Sequence, residues 1–187
     1  MSQPHEPQSP DAPIPVSNPE LFPSRPAATA DLAAIEALHD AVFGPGALTR
    51  SAYRVREGQP AISPYCRLVL KDGTIVAAIR FTAIRIGGEG NALMLGPLAV
   101  AATYANQGHG RRLIAESLAV AKNAGIALVL LVGDPPYYAR YGFAPVPPGC
   151  ITMPGPFDAA RLLVAELQVD AVQKFQGRVT GAAAALS

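Results

Sequence analysis

Two stretches of this chain hold residues that could do chemistry. The first is a turn with Gly108 and Gly110, placed between an apolar run and a segment of helical periodicity. The helical side of this turn carries Arg111 and Arg112 and has no acidic residue in its first turn. Glycines let the backbone approach a ligand closely, and the free N–H groups of a helix start can hold a phosphate or pyrophosphate. The second stretch is a tyrosine-rich turn, residues 137–143.

The glycine turn matches neither of two common phosphate-binding motifs. A dinucleotide-binding G-x-G-x-x-G would need glycine where Leu113 stands, with an acidic ribose partner about 20 residues further on. A Walker loop would need Gly-Lys-Ser/Thr, which the turn lacks. On the turn alone, a loop-to-helix junction that needs glycine only for tight packing stays an open alternative.

The composition predicts one cytoplasmic domain without a metal. The 187 residues carry a net charge of +1, which gives no electrostatic case for nucleic acid or acidic membranes as partners. No apolar run reaches the roughly 20 residues of a membrane span, and the N-terminus lacks a signal-peptide pattern. Cys66 and Cys150 are expected to be free thiols, and the three histidines form no cluster with metal-ligand spacing: His5, His39 and His109.

Both ends of the chain are predicted to lie outside the folded domain. Residues 1–26 hold eight of the 19 prolines, so we expect a disordered tail, with 21–25 able to pair as a short edge strand. The domain is expected over residues 27–172. The remaining residues, 173–187, are Ala-rich and predicted to be a flexible tail.

Periodicity and turn residues predict a mixed sheet with helices on its faces. Three helices are expected, the first from an N-cap at Thr29 to Gly44 and the others at 49–57 and 108–124. Strands are expected at 67–71, 74–86, 91–100, 126–132 and 162–169. Asp72-Gly73 predicts a hairpin turn. Because antiparallel strands come first and only one strand–helix–strand crossover follows, a doubly wound parallel sheet is excluded. In helix 108–124, the predicted buried face is Leu113, Ile114, Ser117, Leu118 and Ala121, with Arg112, Glu116 and Asn123 in solvent.

With these elements in place, the chain resembles the GNAT superfamily of Gcn5-related N-acetyltransferases, and most closely its YhbS-like branch. The coenzyme A motif of that family, Gln/Arg-x-x-Gly-x-Gly/Ala, aligns with residues 105–110. The flanking LGPLAV and YYARYGF sequences also match in order and spacing. The resemblance covers residues 27–146, with a motif core at 95–146, and is strongest over residues 95–143. At the first motif position the chain has Ala105, where the family has a side chain that helps hold the pyrophosphate.

The resemblance implies a GNAT fold of the α/β (α+β) type. We therefore expect a mixed, mostly antiparallel sheet with a central parallel strand pair that splays apart, 95–100 and 126–132, and helices on both faces. Acetyl-CoA, the implied co-substrate, would lie in the splay, next to a strand bulge at Gly96-Pro97. The implied co-substrate-binding residues are Leu98, Ala99, Val100, Ala105, Asn106, Gln107, Gly108, His109, Gly110, Arg111 and Arg112.

The implied reaction is transfer of an acetyl group to a primary amine by direct attack in a ternary complex. The N–H of Leu98 would polarise the thioester carbonyl, and Tyr138 would be the general acid for the leaving thiolate. Of the neighbouring side chains, Tyr137 and Tyr141 are expected to pack, Arg140 to lie on the surface, and His109 to point outward near the phosphates.

The sequence leaves the acceptor side open. Glu57, Glu89, Asp134 and relayed water are equal candidates for the general base. Residues 43–57, with Tyr53, Arg54 and Arg56, are expected to shape the acceptor pocket; the arginines favour an acidic acceptor or form a solvated helix face. Two other functions remain possible: an acyltransferase with a longer acyl-CoA, and a non-catalytic CoA-binding or interaction module. The acceptor could be a small molecule or a peptide, and the chain could form a homodimer.

Overall fold

The computed structural model describes residues 21–44 and 51–182, and only the backbone of residues 51–53. Most of the predicted N-terminal tail, the first residues of the helix predicted at 49–57, and the last five residues lie outside this described part. The side chain of Tyr53 lies outside it too.

Within the described residues, the eight predicted helices and strands and the possible edge strand are present in the predicted order with shifted ends, and five further short α-helices and strands, which were not predicted, lie in the second half of the chain. All of these are β1 (Ser24–Pro26), α1 (Leu32–Phe43), α2 (Ser51–Arg56), β2 (Arg67–Lys71), β3 (Thr74–Ile86), β4 (Glu89–Val100), α3 (His109–Asn123), β5 (Leu128–Val132), α4 (Pro135–Tyr138), β6 (Ala144–Pro145), β7 (Ile151–Thr152), β8 (Leu162–Glu166), α5 (Ala171–Lys174) and β9 (Gly177–Gly181). The main strands pair in the order β1-β2-β3-β4-β5-β8-β6. In this row only β4 and β5 are parallel, so the predicted mixed, mostly antiparallel sheet with a central parallel pair is confirmed.

Two tight turns shape the antiparallel half of the sheet. Asp72 and Gly73 have φ values of 49° and 79°, as a two-residue hairpin between β2 and β3 requires. Gly87 and Gly88 have φ values of 58° and 92° between β3 and β4. The hairpin predicted at Asp72-Gly73 is therefore confirmed, and β2, β3 and β4 form a continuous meander.

Helices α1 and α3 cover opposite faces of this meander. Successive strand residues point to opposite faces, so Ala77 lies with the α3 core and Ala78 with the α1 core. Helix α1 contributes Ile35 and Leu38 to its side. Helix α3 contributes the buried residues Leu113, Ile114 and Ala121, as its periodicity predicted, with Leu118 partly buried. The predicted arrangement of helices on both faces is confirmed.

The start of α1 differs from the prediction. Thr29 does not cap the helix; it opens a 3-10 turn, and α1 begins three residues later. Asp31 takes the place of the predicted cap: its carboxylate accepts hydrogen bonds from the N–H of Ala28 (2.8 Å) and from the guanidinium of Arg25 (2.7 Å). The hydrogen bond from Arg25, followed by that from Ala28, lowers the pKa of Asp31 to about 2. This pairing fixes β1 to the start of α1, so the folded part begins before residue 27.

The C-terminal end also differs from the flexible tail predicted over 173–187. Strand β9 pairs with β3 and with β7, and Phe175 and Val179 are buried in the core. The segment lacks a long apolar run, but Val179 alternates with exposed Arg178 and Thr180, which is the pattern of a short half-buried strand. The domain therefore extends through the last described residue, 182, ten residues beyond the predicted boundary.

Removing core volume from β9 tests whether this segment belongs to the fold. We expect Val179→Ala to lower the free energy of unfolding by about 2 kcal/mol, because the deleted methyl groups leave a cavity. Urea unfolding followed by circular dichroism measures this change. Thr180→Ala, on the exposed face of the same strand, is the matched control. Equal stability of the two variants would show that β9 contributes nothing to the core.

Candidate active site

The site begins where β4 separates from β5. The two strands pair only over residues 92–94 of β4 and 128–130 of β5. Beyond this point, Leu95 lies opposite Phe81 on β3, but Leu98 lies opposite Ile79, so β4 carries one extra residue at Gly96-Pro97. Proline has no N–H for a ladder hydrogen bond, which suits it to a bulge. The bulge and the splay expected at this position are both present.

The second half of β4 offers unpaired backbone groups to the splay. Ala101 donates its N–H to the carbonyl of Val76 on β3 (2.8 Å). Because hydrogen-bonded pairs alternate along antiparallel strands, Ala99 also faces β3, whereas the N–H and C=O groups of Leu98 and Val100 face away from it. The side chain of Ala99 is buried in the α1 core. Ala99, one of the expected contacts, therefore points away from the splay.

A cavity of about 330 Å³ lies at this edge of β4 and brings most of the predicted residues together. Its lining is Leu98, Val100, Tyr104, Ala105, Asn106, Gly108, His109, Gly110, Arg111, Tyr137 and Tyr138. Of the predicted set, Ala99, Gln107 and Arg112 are outside it. Gln107 instead donates from its amide to the carbonyl of Thr103 (3.0 Å), which fixes the loop before α3.

The start of α3 points free amides toward this cavity. Gly108 has a φ of 95°, a conformation that glycine adopts readily, and the helix follows at once. Its first intrahelical hydrogen bond is donated by Arg112 to the carbonyl of Gly108 (3.0 Å). The amides of residues 109–111 precede that bond, and no side chain caps them at Gly108. These amides and the positive end of the helix dipole form a place for an anion.

Gly110 keeps the cavity open. A Cβ built on this residue would lie 3.4 Å from Cγ2 of Val100, 3.5 Å from Oη of Tyr137 and 3.6 Å from Cδ2 of Leu98. A larger side chain would therefore fill the space between β4 and the tyrosine turn. The free strand edge, the uncapped helix start and this glycine together fit an extended ligand with phosphates at one end, as coenzyme A is.

His109 is buried rather than directed outward, which corrects the prediction for its side chain. It is only 1% exposed, and its ring stacks on Phe22 at a centroid distance of 5.0 Å. Burial, followed by the charge of Arg112, lowers the pKa of His109, so the ring is neutral at neutral pH. Its contribution to the site is its backbone amide, while its ring holds the segment before β1 against α3.

Arg112 is also placed differently from the prediction, which put it both in solvent and at the co-substrate. Its guanidinium donates to the carbonyl of Phe22 (2.8 Å) and to the carboxylate of Glu116 (2.7 Å). Glu116 also accepts from Arg67 (2.8 Å) and from the hydroxyl of Ser24. Burial alone would raise the pKa of Glu116, but hydrogen bonds from Ser24 and Arg112 and the charges of the nearby arginines lower it, and the net effect is a lowered pKa. This network joins β1, β2 and α3.

Tyr138 lies at the other side of the cavity, in an apolar surrounding. Its ring packs edge-on against Tyr137 (4.9 Å) and Phe143 (5.8 Å between centroids). Burial, and then the neighbouring Tyr137 and Tyr141, raise the pKa of Tyr138 to about 12. The phenol is therefore protonated throughout the neutral range and can donate a proton.

The sequence analysis missed Gly133, which makes room for this tyrosine. A Cβ on Gly133 would lie 2.5 Å from Cε2 of Tyr138, so only glycine fits beneath the ring. Its φ is not positive, so no turn type marks it; the only sequence signal is a glycine directly after a buried strand. Tyr137 lines the cavity and carries Arg140 over its ring at 5.6 Å.

The candidate bases lie apart from one another. Glu89 is the first residue of β4, at the end opposite the bulge, and Asp134 precedes α4, where its carbonyl accepts from Tyr137 and Tyr138. Glu57 lines a second cavity of about 490 Å³, which lies between α1, the end of α2 and β3. Arg56 lines this second cavity too, whereas Arg54 is exposed.

The described residues contain neither a metal-ligand cluster nor a membrane-spanning helix. Within residues 21–44 and 51–182, no group of three or more His, Cys, Asp and Glu side chains is placed to hold a metal ion. None of the helices in the same part of the chain is both long and apolar enough to cross a bilayer.

Comparison with known proteins decides the family. The model of the acetyltransferase (GNAT) domain matches residues 24–146, well over half of the chain. The chain belongs to the GNAT acetyltransferase family. A relative named as an uncharacterized N-acetyltransferase, YhbS of Escherichia coli K12, is 34% identical over 73 residues, which is 38% of this chain. That match spans 44% of the relative's own length.

Solved GNAT structures share the whole architecture. YhbS from Escherichia coli, in complex with CoA, superimposes with a TM-score of 0.74 and 27% identity, over 88% of this chain and 92% of that one. A GNAT acetyltransferase from Brucella melitensis, in complex with acetyl-CoA, gives a TM-score of 0.65 and 27% identity, over 86% and 96% of the two chains. The expected GNAT fold is confirmed.

The role of Gly110 can be tested by filling the cavity. We expect Gly110→Val to raise the dissociation constant for acetyl-CoA more than about 100-fold, because the branched side chain would occupy the space beside Val100 and Tyr137. Isothermal titration calorimetry measures the constant directly. Gly90→Val is the matched control, since a Cβ there meets nothing within 4 Å and its φ is not positive. Unchanged affinity in Gly110→Val would place the ligand elsewhere.

Proposed function

We propose that this GNAT protein transfers an acetyl group from acetyl-CoA to a primary amine of a small molecule or peptide, by direct attack in a ternary complex. One observation carries the proposal: the free edge of β4, the uncapped start of α3 and the protonated Tyr138 face the same 330 Å³ cavity. Each of the three groups has a separate task in such a reaction.

Binding is assigned to backbone groups first. The amides of residues 109–111 would hold the pyrophosphate, and the N–H and C=O groups of Leu98 and Val100 would pair with the pantetheine arm. Ala105 lacks the side chain that the family has at this motif position, but it lines the cavity beside Arg111, an exposed cation. We expect the missing side chain to weaken coenzyme binding but not to abolish it, because backbone amides provide most of such a site.

Catalysis is assigned to Leu98 and Tyr138. The N–H of Leu98 would stabilise the carbonyl oxygen as negative charge develops on it. The amine nitrogen forms the new bond to the acetyl carbon, the carbon–sulfur bond breaks, and Tyr138 gives its proton to the departing sulfur. The proton lost by the amine reaches solvent through a base that stays open among Glu57, Asp134, Glu89 and water, and Tyr138 is reprotonated from solvent.

Cytoplasmic location belongs to the same proposal. Cys66 is buried and Cys150 partly buried, and both are free thiols, which is usual for reducing compartments. The homodimer expected from the sequence stays a prediction. A non-catalytic CoA-binding module is the second candidate, and the missing side chain at Ala105 is the feature that favours it.

Two measurements on the purified protein decide between these functions. Calorimetric titration with acetyl-CoA, with NADH as a control ligand, tests the coenzyme site; release of free thiol in the presence of a panel of primary amines tests turnover. Saturable binding together with amine-dependent thiol release supports the enzyme. Binding without thiol release from any amine supports the non-catalytic CoA-binding module. Replacing acetyl-CoA with longer acyl-CoA donors tests whether the protein is an acyltransferase with a longer acyl donor.

Tyr138→Phe tests the general acid. We expect kcat to fall by about 10²- to 10⁴-fold, because proton donation to the thiolate is lost while the ring still packs on Gly133 and Phe143. Steady-state kinetics gives kcat, and calorimetry should give an acetyl-CoA dissociation constant close to that of the unmodified protein. Tyr141→Phe is the control, since Tyr141 is outside the cavity lining. Equal kcat in Tyr138→Phe and the unmodified protein would remove Tyr138 from the mechanism.

A further inference from the structure

The second cavity, of about 490 Å³, has no part in the binding scheme above. It lies on the α1 face of the sheet, whereas the side chains of Leu98 and Val100 in the first cavity pack with the α3 core. Its volume falls within the usual range for small-molecule sites. The cavity is therefore large enough for a ligand of amino-acid or dipeptide size.

Three basic side chains from three elements line this cavity. Arg56 comes from the end of α2, Arg80 from β3 and His39 from α1. His39 is 7% exposed, and its Nε2 has no hydrogen-bond partner among the described residues. Burial, followed by the charges of Arg80 and Arg56, lowers the pKa of His39, so these groups are close enough to influence one another.

Arg56 has no compensating anion among the residues that the structure describes. Within the described residues it has no carboxylate within 4.0 Å, and its Nε has no hydrogen-bond partner. Burial, and then the like charge of Arg80, lower the pKa of Arg56 to about 10. The acidic residues of the lining, Glu36, Asp40 and Glu57, are all exposed at its surface. Removing a guanidinium from water beside a second cation is costly unless an anion neutralises it.

One side chain of the lining, Arg56, also reaches the β4 bulge. Nη2 of Arg56 lies 3.1 Å from the position that a Cβ on Gly96 would occupy. Gly96 is two residues before Leu98, whose backbone faces the first cavity. A ligand held by Arg56 would therefore lie next to the part of β4 at which acetyl transfer is proposed, but would approach it from the opposite face.

We propose that this cavity is the acceptor site and that Arg56 and Arg80, with His39, select a primary amine that also bears a carboxylate. A guanidinium matches the planar geometry of a carboxylate and can bind both of its oxygens. Arg80 is already positioned for this by the hydrogen bond from its Nη2 to the carbonyl of Pro60 (3.2 Å). This inference rests on the proposed function, because it assigns the acceptor of that reaction.

The test compares acceptors that differ only in charge. Glycine, β-alanine and 4-aminobutyrate are each paired with the corresponding amide, which lacks the carboxylate: glycinamide, β-alaninamide and 4-aminobutanamide. Calorimetric titration of each compound into the protein saturated with desulfo-CoA measures binding without turnover. Initial rates of thiol release from acetyl-CoA measure turnover for the same compounds.

Variants connect the preference to Arg56. We expect at least one carboxylate to bind about 10- to 100-fold more tightly than its amide, and Arg56→Gln to remove that difference. Arg56→Lys should restore part of it, and Arg80→Gln should weaken it separately. Arg54→Gln, an exposed arginine on the same helix, is the matched control and should bind as the unmodified protein does. The affinity for acetyl-CoA should be unchanged in all four variants.

The two readouts separate the two proposals. If no carboxylate binds better than its amide, or if Arg56→Gln retains the preference, the anionic acceptor site is wrong, even if neutral amines are acetylated. If carboxylates bind with the expected preference but no amine releases thiol, the anion site stands and the proposed transferase function fails.

Discussion

The active site depends on one extra residue in β4. Up to Leu95 the strand is held on both sides, by β3 and by β5; after Gly96-Pro97 it continues along β3 alone. The separation leaves an edge in the middle of the sheet, where unpaired N–H and C=O groups would otherwise be costly. An extended ligand can satisfy them, so the defect in pairing is also the binding surface. The uncapped start of α3 lies at the same edge.

The second requirement is that α3 begins at a fixed place relative to that edge. The partly buried network around Glu116 provides this, since Arg112 and Glu116 on α3 connect to β1 and to Arg67 on β2. Stacking of His109 on Phe22 adds an apolar contact at the first residue of the helix. Side chains that looked available for phosphate binding thus position the helix, while its amides remain free for the ligand.

These two features explain which parts of the molecule the sequence could predict. The mixed sheet follows from local patterns, namely the buried strands and the Asp72-Gly73 turn, whereas most of the cavity lining follows from the resemblance of residues 95–143 to the GNAT family. The direction of His109 and Arg112 could not be predicted, because both contact Phe22, which comes from a proline-rich segment without a periodic pattern. Ser24, which binds the Glu116 partner of Arg112, comes from the same segment. Strand β9 was missed for a similar reason: five residues with one buried valine become a strand only beside β3. Gly133 has to be glycine because the ring of Tyr138 packs directly on it, and no turn preference in the sequence shows this requirement.

The two cavities use different chemistry for the anions they are suited to hold. At the first, peptide N–H groups at a helix start provide a rigid, partly charged surface that suits a diphosphate, so the proposed pyrophosphate site does not depend on a side chain at position 105. At the second, which is the larger of the two, Arg56 and Arg80 on separate elements provide full charges, which suit a carboxylate. The cavities lie on opposite faces of the sheet, and Arg56 of the second one approaches the β4 bulge at Gly96, so the proposed acceptor would be bound beside acetyl-CoA without displacing it. Direct attack in a ternary complex requires that arrangement, and a covalent enzyme intermediate would not be needed.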